Sequence, residues 1–78
     1  MCLAIPMQIA SINGSSAICS IKGIEREVSL FLLQDETITI GDYVLIHVGY
    51  AIQKISEEEA RSTWELLDQM LTEDAQHA

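Results

Sequence analysis

Along roughly its first two-thirds the chain alternates apolar and polar residues in short stretches, and the remainder follows a helical rhythm. Residues 7–12 alternate loosely and run into Asn13-Gly14, a strong hairpin signal. In residues 17–22 the alternation sets Ala17, Cys19 and Ile21 on one face and Ile18, Ser20 and Lys22 on the other. Gly23 interrupts the pattern and predicts a tight turn or bulge. Ile24, Arg26, Val28 and Leu30 then alternate with Glu25, Glu27 and Ser29. A charged Arg26 within the apolar series predicts a face that is only partly buried. The continuous apolar run 30–33 suits the closure of one end of a core. Residues 34–40, polar and β-branched, read as a loop with weak strand character, and Gly41-Asp42 as a turn. Residues 43–48 form the strongest strand signal. Gly49 is expected to bend that strand, with residues 50–55 continuing as another.

A helix follows. Ser56 and Glu59 have the spacing of a capping box, and Ile55 precedes the cap where it can staple onto Ala60. Glu57, Glu58 and Glu59 fall in the first turn, where the helix dipole favours negative charge. As a solvated start to a helix this run needs no catalytic role. Ala60, Trp64, Leu67 and Leu71 recur at helical spacing and define an apolar stripe, with Glu65 and Asp68 on the charged face. The helix is expected over about 57–71 and a loose tail over 72–78. Trp64, at that spacing, reads as core rather than as a stacking platform. About five short strands and one terminal helix predict a mainly β fold, a small five-stranded OB-like β-barrel with a C-terminal α-helix. A single domain over residues 1–78 is expected, with the barrel over about 3–55.

Composition narrows the function. The chain has 78 residues, enough for one modest core, and aromatics make up only 5%, so aliphatic side chains must fill it. Four Lys and Arg stand against twelve Asp and Glu, a formal charge of -8. That field repels phosphate backbones and anionic lipid and favours basic protein partners. A single-strand-binding barrel needs a basic groove and exposed aromatics, and neither is evident, so no nucleic-acid partner is expected. No secretory signal pattern and no membrane-span-length apolar run is visible, so a cytoplasmic location without membrane contact is expected. Two cysteines at positions 2 and 19 match no four-ligand zinc spacing and are expected as thiols rather than a bridge.

The candidate chemistry is sparse. Phosphate-cradling glycine loops, HExxH and GxSxG are all absent from the sequence. Cys2 follows the initiator methionine, and removal of Met1 would give it a free α-amine beside its thiol. An ordinary α-amine titrates near about 8 and a thiol near about 8.5, and a neighbouring protonated amine favours the reactive thiolate. The alternative is a frayed terminus without a role. His47, inside the best strand beside Ile46 and Val48, is either satisfied by a backbone carbonyl or available to a metal or thiol. Cys19 reads as a small buried apolar residue, and His77 as part of the tail. Cys2 with His47 could also serve as nucleophile and base of a small thiol enzyme, though no third orienting residue is visible.

The opening Met1-Cys2-Leu3-Ala4-Ile5-Pro6 is similar to the amino terminus of the HypC/HupF family of nickel–iron hydrogenase maturation chaperones. Gly23-Ile24-Glu25-Arg26-Glu27-Val28 resembles its G-[VI]-x-[RK]-[ED]-V segment. Residues 41–52, reading GDYVLIHVGYAI, resemble its GDWVLVHVGFAI segment, and Ser56-Glu57-Glu58-Glu59-Ala60 the start of its terminal helix. The resemblance implies an accessory chaperone rather than an enzyme. It implies pairing with a HypD-type iron–sulfur protein, on which an iron centre carrying two cyanides and a carbon monoxide is assembled. It implies delivery of that group to the precursor of the hydrogenase large subunit. It marks Cys2 as iron ligand and partner contact, shared with the partner, and Leu3, Ala4, Ile5 and Pro6 as the partner-binding arm. His47 matches the family histidine, as support or ligand. Met7 departs from the glycine usual in the family, which implies either an arm that turns differently or a position that is simply extended.

Overall fold

The computed structural model describes the backbone of residues 4–77 and the side chains of residues 4–68. Five strands and one 3-10 turn precede the helix: β1 (Ile5–Asn13), β2 (Ser16–Ile21), β3 (Ile24–Ser29), β4 (Tyr43–His47) and β5 (Tyr50–Ile55), then α1 (Glu57–His77). The strands close into a barrel in the order β1-β2-β3-β5-β4. Every joint is antiparallel except β3 against β5, a short parallel contact at Ser29 and Tyr50. The expected fold, a small five-stranded barrel with one C-terminal helix, is the one adopted.

The alternation seen in the sequence is the alternation of burial. Ala17 and Cys19 point inward from β2, and Met7 and Ile9 from β1, to meet Val28, Leu30, Leu33, Val44 and Ala51 in the core. On β3 only Val28 is buried, while Ile24 and Arg26 are exposed, as the charge within that face predicts. The run after β3 forms a 3-10 turn over Phe31–Leu33. Leu30 and Leu33 plug the barrel there, leaving Phe31 and Leu32 outside. Residues 34–40 make no strand. Met7 sits in extended backbone opposite Val44, with its side chain buried, so its departure from glycine costs the strand nothing.

Two expectations are corrected. Gly49 does not merely bend a continuing strand. His47 pairs with Tyr50, so Val48-Gly49 is a complete two-residue reversal, with φ of 51° and 83°. Positive φ at both positions is the type I′ pattern, whose twist matches the flanking strands. Lys22-Gly23, between the paired Ile21 and Ile24, repeats it with φ of 50° and 84°. The helix, expected to end near residue 71 before a loose tail, runs to His77. After Ser56 there is no glycine or proline to terminate it, and Thr72, Glu73, Asp74, Ala75 and Gln76 all tolerate helical backbone.

The helix start is built as its sequence indicates. The Glu59 amide donates to Ser56 Oγ at 3.0 Å, and the Ser56 amide donates to Glu59 Oε1 at 3.2 Å, a reciprocal capping box. Ile55 and Ala60 are both buried at this corner. From there α1 lies against β1 and β4. No helix among the described residues is long and apolar enough to cross a membrane.

Candidate functional site

The last residues of the expected partner-binding arm form the start of β1 and are tied to β4 by antiparallel pairing. Ile5 faces Ile46, Pro6 faces Leu45 and Met7 faces Val44. Among the residues expected to form the site, Cys2 and Leu3 lie outside the described residues. Ala4 and Ile5 are half-buried, and Pro6 is fully buried. The structure therefore brings Ile5 and Pro6 to the same strand pair as His47, with Ala4 immediately before it. His47 is half-buried at the last position of β4, and its imidazole makes no hydrogen bond to any other described residue. The backbone-carbonyl partner that the sequence left open for this ring is not found there.

Around His47 the surface is apolar. Val48 is 75% exposed at the tip of the β4–β5 turn, and Tyr50 is exposed directly after it. The Ser29 amide donates to the Gly49 carbonyl at 2.9 Å, which brings the 3-10 turn and its exposed Phe31 and Leu32 alongside. Val48, Tyr50, Phe31 and Leu32 thus leave apolar side chains exposed at this end of the barrel.

Pro6 is placed by an unforeseen residue. The Trp64 indole N–H donates to the Pro6 carbonyl at 2.6 Å. Strand β2 pairs with β1 only from Gln8 onward, because beyond Ile21 the chain turns away through Lys22-Gly23. The Pro6 carbonyl is thus left without a ladder partner, and the indole takes that place. A strand residue directs its N–H and C=O to the same side, so the donor that proline lacks also faces the side β2 has left. Lys22 Nζ stands 5.0 Å from the centroid of the Trp64 ring and 2.7 Å from Asp68 Oδ2. Trp64 therefore acts as more than core filling, and Asp68, assigned to the charged face, turns toward the barrel. The i, i+4 spacing of Trp64 and Asp68 was the available signal, since it puts both on one side of the helix. A groove of about 350 Å³ opens between α1 and the barrel, lined by Ile21, Lys22, Tyr43 and Trp64 among others, and His47 is not part of its wall.

The second cysteine has a different environment. Cys19 is a free thiol with no exposed surface, and burial pushes it up to about 11. At neutral pH it stays protonated and behaves as a small apolar side chain. Among the described residues no group of three or more His, Cys, Asp or Glu side chains converges as a metal cage would.

The sequence matches the family model described as HupF/HypC family over residues 1–67. The chain belongs to the HupF/HypC family. A protein of Helicobacter hepaticus named hydrogenase maturation factor HypC is 46% identical over 72 residues, covering 91% of this chain and 83% of that protein. The HypC of Azotobacter chroococcum mcd 1 is 44% identical over 71 residues, covering 90% of this chain and 82% of that one. The HypC of Rhizobium leguminosarum bv. viciae is 41% identical over 76 residues, covering 96% and 99%. The HupF/HypC match spans the arm, the whole barrel and the helix through Leu67, so the Trp64–Pro6 contact lies within it.

Proposed function

We propose that this chain is a hydrogenase maturation chaperone that carries an iron group rather than catalysing a reaction. In this reading it pairs with a HypD-type iron–sulfur protein, accepts a share in an iron bearing cyanide and carbon monoxide, and passes it to the large-subunit precursor of a nickel–iron hydrogenase. The family match over residues 1–67 carries the proposal. The geometry supports it: the Cys2 end of the chain leads into a strand paired beside His47, next to an apolar surface fit for a protein partner.

Cys2 is the proposed iron ligand. Low-spin iron bearing cyanide and carbonyl is a soft centre, and a thiolate is a suitable soft ligand. One thiolate from this chain and one from the partner would hold the cargo without enclosing it, as later release requires. His47 is proposed to support the site by hydrogen bond or ligation. The acidic surface, with twelve carboxylates against four basic side chains, suits a basic partner face.

The test is replacement of the chromosomal copy by Cys2→Ala. Hydrogenase should accumulate as unprocessed, inactive precursor, while the purified variant melts at the parent's temperature. Active hydrogenase at the parent's level would refute the proposal.

A further inference from the structure

The contact at Pro6 has a consequence for the arm. Pro6 lies four residues from Cys2, and among the described residues it is the first of β1 that a second element grips from the side opposite β4. On that side β2 has ended, and among the described residues the Trp64 indole is the group that holds the Pro6 carbonyl. Trp64 is itself held from above by Lys22, which also pairs with Asp68 one helical turn further on. The Lys22 backbone belongs to the same tight turn that takes β2 away from Pro6. Turn, helix and arm thus form one connected cluster.

We infer that Trp64 is a positioning residue for the Cys2 arm, acting through its indole N–H on the Pro6 carbonyl. The inference rests on the reading of Cys2 as the thiol that shares the iron group. A carrier thiol on an arm free to swing would sample many orientations and lose cargo more readily. A fixed Pro6 carbonyl holds the start of β1 on the side that its pairing with β4 leaves open, and the chain continues from there to Cys2. The helix then has a task beyond covering the barrel: its docking sets the starting direction of the arm. Lys22 and Asp68 are solvent-exposed and contribute by keeping the indole plane in place rather than by a strong ion pair.

The experiment replaces Trp64 with 3-benzothienylalanine, which keeps the ring's shape and substitutes sulfur for the N–H, with Trp64→Phe as a second variant. Two quantities are read. The first is amide hydrogen exchange at Ile5, with Ile9 and Val44 as core references. The second is the half-life of the cyanide and carbonyl infrared bands on the chaperone–partner complex, with Cys2→Ala as control. Exchange at Ile5 should rise about fivefold, the factor that one neutral hydrogen bond of ordinary net strength represents. Ile9 and Val44 should stay unchanged, and the band half-life should shorten by a similar factor. An unchanged Ile5 would overturn the inference. So would an equal rise at Ile9 and Val44, which would make the indole a general stabiliser, or an unaltered half-life with Cys2→Ala still losing the bands. If Cys2→Ala keeps the bands, the carrier reading itself falls, and the Ile5 exchange still decides whether Trp64 holds the strand.

Discussion

Val48 occupies a conformation that its side chain opposes, and relieving it should stabilise the barrel. It is β-branched, with φ of 51°, at the first position of a type I′ turn completed by Gly49 at 83°. Left-handed backbone costs an L-residue about 1–2 kcal/mol, and branched side chains tolerate it worst. Asparagine is tolerated there, and Asn-Gly is the preferred dipeptide of this turn. Since Val48 is 75% exposed, its removal sacrifices little apolar burial. Val48→Asn should therefore gain about 1 kcal/mol, raising the melting temperature by about 4–8 °C for a domain of this size. Val48→Gly relieves the same strain but loses about 0.5–1 kcal/mol to the freer unfolded chain, so it should fall between the two. Thermal melts by circular dichroism, with urea titrations to check for an unchanged slope, give the order. A Val48→Asn protein that melts at or below the parent would refute the reasoning. A strained, exposed valine beside His47 is intelligible if this tip serves a partner rather than the fold, so the stabilised variant is expected to bind the maturation partner less well.

Two further predictions concern the helix start and the core thiol. Ser56→Ala removes the hydroxyl that caps the Glu59 amide at 3.0 Å, and should cost about 1 kcal/mol, read as a lowered melting temperature; an unchanged melt would show that the cap contributes nothing. Cys19, held at about 11 by burial, should react with a thiol-specific disulfide reagent only after unfolding. Because the unfolded chain releases this proton near about 8.5 and the folded chain retains it, the unfolded state binds fewer protons in between, and stability is lost as pH rises through that interval. Urea midpoints at about pH 8 and about pH 10 should therefore fall more for the parent than for Cys19→Ala, and equal falls would contradict the assigned cause.

The barrel could be read from the sequence because strand burial has period two, and Ala17, Cys19 and Val28 obey it. The reversal at Val48-Gly49 escaped because valine is a poor residue for that turn, so the dipeptide carries only half of the usual signal. The helix end escaped because nothing in residues 72–77 stops a helix or demands one. The family was apparent from local motifs, and the candidate residues of the arm and His47 came with that resemblance. The grip on the arm was not, since Trp64 and Pro6 are 58 residues apart and only the closed barrel brings them together. An indole at helical spacing is apolar by pattern, and its single N–H finds a use only where a neighbouring strand has ended.

The carrier account stands on the Cys2 sulfur. Its most direct measurement is infrared spectroscopy of the chaperone–partner complex, purified without oxygen from cells expressing either the parent or Cys2→Ala. Cyanide and carbonyl stretching bands should accompany the parent chain and be missing from the variant, with both chains folded. Bands of equal intensity on the two would contradict the account.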